Sequence, residues 1–364
     1  MAKSRSHIPA ADRVAHALRA QAGQMPGGGK LPSVRRLMRQ FGVSQLTVQQ
    51  AIGQLENEGL VERQLGRGTF VAGGALTTSR TVTILRSDAP SRRGDEVMRA
   101  THQRLKEQGY RPLVVTYCDF DQAAQVLRDT PRPDAYVLQP AFGQAPLELL
   151  AFLRRHSDTV IVDGELEGVN VDALITDWQR GLEAAVGHLM DHGHTRIALA
   201  SGEPPYAWER LASHFRTLCR WAKLPTDPDP LIVATTRVGE SPVAGMRERL
   251  TDLIREHDGV PFTAMVVNSF ASATGALESL ATARVRVPDD LSLVVLDSPD
   301  LGEDTVVPLT MVGHTSEQIG TGIVRRIEQR WRDPDMRYGC LRFPPELVER
   351  RSVRELSYEP AGAF

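Results

Sequence analysis

Cysteine is scarce: the 364 residues hold three, Cys118, Cys219 and Cys340. They are odd in number, far apart and follow no metal or redox spacing, which excludes a disulfide-stapled scaffold; they read as free thiols that fill space. Long apolar runs are missing as well. Nothing approaches the roughly 20 residues that span a bilayer, and the opening MAKSRSHIPA lacks the apolar core of a secretory signal. The expectation is a cytoplasmic protein with no membrane contact. No Gly-x-Ser-x-Gly elbow, phosphate-cradling Walker loop or zinc-protease signature occurs, and no cofactor lysine context or paired acid–base set can be found, which argues against an enzyme and for no cofactor. Short-period repeats and low-complexity tracts are absent too. What is present is ordinary globular composition, 41% hydrophobic and 24% charged. The chain is longer than one core usually organises, so a small domain beside a larger one is expected.

The formal net charge of −2 hides an asymmetry. Residues 1–79 hold ten Lys and Arg against four acids, a surplus of six, so the other 285 residues carry −8. Opposite fields suit a chain whose first part approaches a polyanion while the rest is kept away from it. Ala72-Gly-Gly-Ala-Leu-Thr-Thr-Ser79 is small, polar and glycine-bearing, the composition of a linker. The expected domains are therefore 1–72, a linker at 73–80, and 81–358. Before the linker lie three short helical stretches and a hairpin. After it, apolar runs alternate with helical periods: Thr81–Leu85, Leu113–Thr116, Ala135–Leu138, Val160–Val162, Ile197–Ala200, Ala264–Val267 and Leu293–Leu296. Nearly continuous apolar strands between helices predict parallel sheets covered on both faces, and about seven of them divide better between two lobes than in one.

In residues 9–72, Ser33 of Leu31-Pro-Ser33 can cap a helix whose buried face is Val34, Leu37, Met38 and Phe41. Phe41-Gly-Val-Ser44 is a tight turn into a second helix, capped by Ser44, with Val48, Ile52 and Leu55 facing inward. Gln45, Thr47, Gln49, Gln50 and Gln54 are left outside. Amides so placed have the hydrogen-bonding equipment for base edges in a major groove. Leu60-Val-Glu-Arg63 and Gly68-Thr-Phe-Val71 flank Gln64-Leu-Gly-Arg67, a wing that presents Arg67 to a minor groove or a phosphate. Gly27-Gly-Gly-Lys30 has no strand before it and Leu-Pro after it, so it reads as an interhelical loop, not a phosphate loop.

The run LPSVRRLMRQFGVSQLTVQQAIGQLENEGLVERQLGRGTFV resembles the GntR family of bacterial regulators in its order of turn, recognition helix and wing. The resemblance implies a winged helix-turn-helix bound to double-stranded operator DNA. Carried over by position, Arg35 matches a family DNA contact, Thr47 a phosphate or base contact and Arg67 the wing contact; Arg36, Ser44, Gln45, Gln49 and Gln50 complete the candidate set. Gln45 and Gln49 stand where the family often has arginine, so the operator is not borrowed from relatives.

A second resemblance rests on Thr176-Asp177, Gly181, Ala185-Val-Gly-His188-Leu189, Gly193-His194-Thr-Arg196-Ile-Ala198, Val287-Pro-Asp-Asp-Leu-Ser-Leu-Val294, Pro308-Leu-Thr310 and Pro345-Glu-Leu-Val-Glu-Arg350. Over residues 80–355 these are similar to the effector domain of the LacI family. The implied fold class is α/β: an N-terminal winged helix-turn-helix plus a two-lobed, periplasmic-binding-protein-like (type I) domain with parallel sheets. The implied ligand, a sugar or sugar derivative, lies between the lobes at the carboxyl ends of the strands. By position the candidate ligand residues are Arg86, Asp163, Arg210, Asn268 and Asp297. The family's usual partners are replaced by Ser213-His214, Ser269 and Ser298. The first loop carries Arg86-Ser-Asp88 and Ser91-Arg-Arg93 in place of aromatics, which suggests a ligand more acidic than a plain sugar.

His188, His192 and His194 have a spacing that can seat a metal, but two of them belong to the fold's helix-turn landmark, so no metal is expected. Trp178 and Trp208 read as core more than crevice. The expected whole is a homodimeric DNA-binding regulator, a repressor, controlled by a small ligand. The alternatives are a ligand-dependent activator or an enzyme behind a DNA-binding appendage.

Overall fold

Val14, Leu18 and Ala22 recur every four residues along α1 (Ala10–Ala22), and all three are buried. They meet Leu37 of α2 (Val34–Phe41) and Val48, Ala51, Ile52 and Leu55 of α3 (Gln45–Asn57) in one cluster that Leu31, Leu60, Val61 and Val71 close. Each fully buried Leu, Val or Ile contributes about 1.5–3 kcal/mol, enough together to hold a small unit. The Ser33 hydroxyl accepts from the Arg36 N–H at 3.4 Å and starts α2; Gly42, at φ 63°, ends it in the left-handed region where a Cβ is strained. Ser44 then takes the Thr47 N–H at 3.2 Å to start α3. Strands β1 (Val61–Gln64) and β2 (Gly68–Val71) pair antiparallel from Val61–Val71 to Gln64–Gly68.

This computed structural model describes residues 10–22, 25, 29–57, 60–64, 68–71, 80–89, 91–140, 145–166, 168–203, 205–234 and 240–356. The chain divides into two units, Met1–Arg80 and Thr81–Phe364.

The second unit holds two six-stranded sheets. In the first lobe β3 (Thr81–Ser87), β4 (Arg111–Tyr117), β5 (Ala135–Gln139), β6 (Val160–Asp163), β7 (Asp172–Thr176) and β13 (Cys340–Phe343) run parallel in the order β13-β7-β6-β5-β3-β4. In the second lobe β8 (Ile197–Ser201), β9 (Leu231–Val233), β10 (Ala264–Asn268), β11 (Ser292–Leu296), β12 (Thr310–Gly313) and β14 (Glu346–Val348) take the order β14-β12-β11-β10-β8-β9, with only β14 antiparallel. The seven apolar runs all form strands. The others escaped the periodicity because β9 and β14 are three residues long, β13 is half exposed at an edge, β7 opens on an aspartate, and β12 is four residues ending in glycine. Buried clusters lie on both faces of each sheet, as continuous apolar strands demand.

The chain passes between lobes three times: from β7 to α7 (Trp178–Asp191), from β12 to α11 (Ser316–Arg332), and from β13 to β14. These passages are tied together. The Asp177 N–H donates to the Phe343 carbonyl at 2.9 Å, and Thr176 Oγ1 lies 3.2 Å from His314 Nδ1. A Cβ on Gly313 would fall 2.1 Å from the Asp297 carbonyl oxygen, so only glycine fits beside that strand end. Of the three cysteines, Cys219 is buried and Cys340 half-buried, but Cys118 is exposed and does not fill space. No helix among the described residues is long and apolar enough to cross a membrane.

Candidate functional site

The first unit presents α3. Gln45, Gln49 and Gln50 are exposed, as are Ser44 before it and Arg35 and Arg36 on α2. Leu46, which the sequence reading passed over, is 65% exposed among the amides; an exposed apolar side chain on a groove-reading helix can contact a thymine methyl. Thr47 is half-buried, its hydroxyl 2.8 Å from Ser44 Oγ. Gln54 is a correction: it is half-buried and donates to Asp12 of α1 at 2.9 Å, because the end of α3 packs under α1. Arg63 of β1 reaches the Gln49 carbonyl at 3.2 Å and Glu56 at 3.2 Å, fastening the hairpin to α3. Arg67 lies outside the described residues, as do residues 26–28 of the glycine loop and 72–79 of the linker. An α-helix about 10–12 Å across fits a major groove about 12 Å wide, and exposed carboxamides on it can pair with adenine edges.

The second candidate lies where strand ends of the two lobes face each other. Parallel sheets put the ends of β5, β6, β8, β10 and β11 on one side, bringing together Gln139, Asp163, Glu203, Asn268 and Asp297. Arg93, in the first turn of α4 (Arg92–Glu107), reaches across them. Its two terminal nitrogens contact the two Asp163 oxygens at 3.2 and 3.4 Å, and its Nε lies 3.9 Å from Asp297 of the other lobe. This two-pronged, charge-assisted grip is among the stronger polar contacts available. Gln139 Nε2 donates to Asp163 at 3.4 Å. Asp297 accepts from the N–H groups of Phe270 at 2.8 Å and Ser298 at 2.7 Å. Asn268 Nδ2 donates to Ser201 Oγ at 3.4 Å, and the next residue, Ser269, is held at φ 77°, a costly region for a residue with a Cβ. Buried and without a hydrogen-bond partner are Arg93 Nε, Gln139 Oε1 and Ser298 Oγ. A cavity of ≈ 480 Å³ opens beside Arg93 and Asp163 on the side of α11, walled by Thr176, His314, Gln318, Arg325 and Phe343; Gln139, Asn268 and Asp297 do not line it.

Two candidates sit apart from this cluster. Arg86 pairs with Asp95 on α4, so Arg93 and not Arg86 supplies the guanidinium. Arg210, on α8 (Pro205–Ala222), is 62% exposed and joins Arg342 on Glu165, an ion pair between lobes at the rim. The loop is not a store of free cations: Arg92 lies 5.2 Å over the Phe270 ring of the second lobe. Among the described residues the cluster sets three carboxylates, Asp163, Glu203 and Asp297, around one guanidinium. Each arginine of the loop already has an acid or ring beside it. Trp178 packs into the second-lobe core, while Trp208 is half-buried with an unpartnered indole nitrogen. His194 is fully buried between Thr263 Oγ1 at 3.1 Å and the Arg354 carbonyl at 3.2 Å, so the three histidines of the sequence do not converge.

Glu203 carries a pH signature. Burial, reinforced by the Asp297 charge, pushes its carboxyl up to about 7. Burial likewise raises Asp297, against the pull of Arg93. The folded Glu203 carboxyl keeps its proton to higher pH than the unfolded one, so folding takes up a proton between the ordinary glutamate range and about 7. Its stabilising share is complete at acid pH and is lost as pH rises through about 7. Urea midpoints measured from pH 5 to 8 should therefore show the natural protein losing ground to Glu203→Gln up to about pH 7 and levelling off above it; parallel curves throughout would contradict this.

Residues 10–71 match the profile of bacterial regulatory proteins of the gntR family, and residues 186–353 match a periplasmic binding protein-like domain. The chain is 27% identical, over 92% of its length and 94% of the relative's, to the arabinose metabolism transcriptional repressor of Geobacillus stearothermophilus. It is 24% identical to the transcriptional repressor PurR of Vibrio atlanticus, covering 90% of this chain and 100% of the other. In fold it is similar to a LacI family transcriptional regulator of Enterococcus faecium solved with bound ribose, at TM-score 0.63 and 20% identity over 76% of this chain and 100% of that one. The lac repressor dimer bound to operator and an anti-inducer gives TM-score 0.61 at 19% identity, over 77% of this chain and 96% of that one. The chain thus carries a gntR-family helix-turn-helix domain over residues 10–71 and a periplasmic-binding-protein-like domain over 186–353, the two-part composition of a transcriptional regulator.

Proposed function

We propose that the protein is a cytoplasmic transcriptional repressor whose hold on operator DNA is set by a small polyhydroxy ligand bound between the lobes. One observation carries the reading: a chain with an exposed amide-bearing helix also builds a two-lobed crevice with unpartnered buried donors and acceptors at its centre. The repressor names of the relatives and the sugar in a fold neighbour support it. On this reading residues 1–72 read DNA, 73–80 link, and 81–358 sense and dimerise. Arg35, Arg36, Ser44, Gln45, Thr47, Gln49, Gln50 and Arg67 contact the operator. Asp163, Asn268 and Asp297 contact the ligand together with Arg93, and Arg210 and Arg86 act from the rim and the adjoining strand. Carboxyl groups on both sides of one guanidinium that is already paired offer acceptors to ligand hydroxyls.

The mechanism is linkage. A ligand that competes for Arg93 and Asp297 prefers one arrangement of the lobes and shifts its population. In a dimer with two readers about one helical turn of DNA apart, a small change in spacing lowers affinity.

Anisotropy titrations of fragments flanking the gene, at several salt concentrations, test the DNA half. Arg35→Ala should weaken binding to all sequences and reduce the salt slope by about 0.9, the release of one phosphate's counterions. Gln49→Ala should cost about 1–3 kcal/mol at one base pair and relax the choice there. Absence of salt-sensitive affinity for any fragment would end the proposal.

A further inference from the structure

We propose a divalent transition-metal site at the carboxyl end of α7, formed by His188, His192 and Glu349, that clips this helix to the C-terminal segment of the second lobe. It lies outside the interlobe crevice and stands independently of the regulatory reading. The two histidines are one helical turn apart, with ring centroids 4.3 Å apart and tilted by 52°. One ligand atom from each of the three residues lies within 4.8 Å of the others.

Two details distinguish this cluster from a solvated surface. His192 Nδ1 is 2.8 Å from the His188 carbonyl, an acceptor only, so that nitrogen carries the proton. The Nε2 lone pair is then left on the side of Glu349, 4.0 Å away, too far for a hydrogen bond. His188 Nε2 is buried and has no hydrogen-bond partner at all.

Holding an ion at roughly 2.0–2.2 Å from each donor asks for a shift of about an ångström, chiefly of Glu349, with one position left for water. The Glu349 side chain is 63% exposed and free to make that shift. Two imidazoles and one carboxylate suit zinc, nickel, cobalt or copper and discriminate against magnesium and calcium. The setting is already anchored: the Leu356 N–H donates to the His192 carbonyl at 2.9 Å, so an ion would add a second tie between helix end and tail.

The test uses untagged full-length protein stripped with a chelator. Calorimetry with Zn²⁺ should give one saturable site per chain, absent with Mg²⁺, and Zn²⁺ should raise the melting temperature. Glu349→Gln and His192→Ala should each weaken Zn²⁺ by about tenfold or more while leaving far-ultraviolet dichroism unchanged. The affinity should drop as pH falls through the imidazole range, since protons compete for the same lone pairs. No saturable Zn²⁺ binding, or affinity in both variants unchanged from the natural protein, overturns the assignment.

Discussion

Replacing Asp297 with alanine is expected to leave DNA affinity and its salt dependence intact while abolishing the ligand's effect on both. Asp297 is 6% exposed at the end of β11 and receives two backbone N–H groups, with the Arg93 guanidinium close by. Truncation orphans both N–H donors and removes one of the two carboxylates that hold Arg93 between lobes. A ligand hydroxyl that donates to this carboxylate loses a hydrogen bond to a charged group, about 1.5–3 kcal/mol. In ligand affinity that is roughly ten- to 150-fold. Asp297→Asn keeps the size and one acceptor, and should fall between. Calorimetry with the ligand beside anisotropy with operator DNA separates the two effects. If Asp297→Ala still released DNA at the same ligand concentration, the crevice would not be the sensor.

The largest effect on stability is expected at Asp172. It is 1% exposed at the start of β7, and its oxygens accept from Arg326 Nη2 at 2.5 Å and from Arg330 at 2.8 and 3.1 Å, both on α11. Gly339 N–H adds 3.3 Å, and the Arg330 guanidinium also lies 4.0 Å over the Tyr338 ring. The pairs tie α11 and the strand after it to the first-lobe sheet. Asp172→Ala leaves two guanidinium groups buried without a counter-charge, costing about 3–5 kcal/mol. That is a large part of the roughly 5–15 kcal/mol that holds a typical domain. Replacing all three residues with apolar groups of matched volume should be far milder, because desolvation disappears with the charges. An Asp172→Ala protein with an unchanged urea midpoint would mean that the carbonyls of Pro334 and Arg337 and the Tyr338 ring hold the arginines alone.

Much of the reading unit was legible in the residues. Ser33, Gly42 and Ser44 act on groups within four positions of themselves, and the buried face of α3 follows from the helical period alone. Gln54 was misjudged because its partner, Asp12, is 42 positions away on another helix. The crevice was legible by half. Asp163 and Asp297 were found because they end apolar strands, and a parallel sheet puts such ends on one side. Arg86 and Arg93 were read together as loop residues in place of aromatics, and only Arg86 became a candidate, because the reach of a helix's first turn is not visible in a sequence.

The residues by themselves determined the caps, the period of each helix, the apolar strands and the basic first domain, since all of these arise from neighbours along the chain or from composition. Only the tertiary structure decided which charges meet. Arg93, Asp163 and Asp297 are separated by up to some two hundred positions and converge through the order of strands in two sheets and three passages between lobes. Glu349 likewise joins His188 and His192 because the last strand returns beside α7. Electrostatic partners act through space over a few ångströms, and sequence distance places no bound on that.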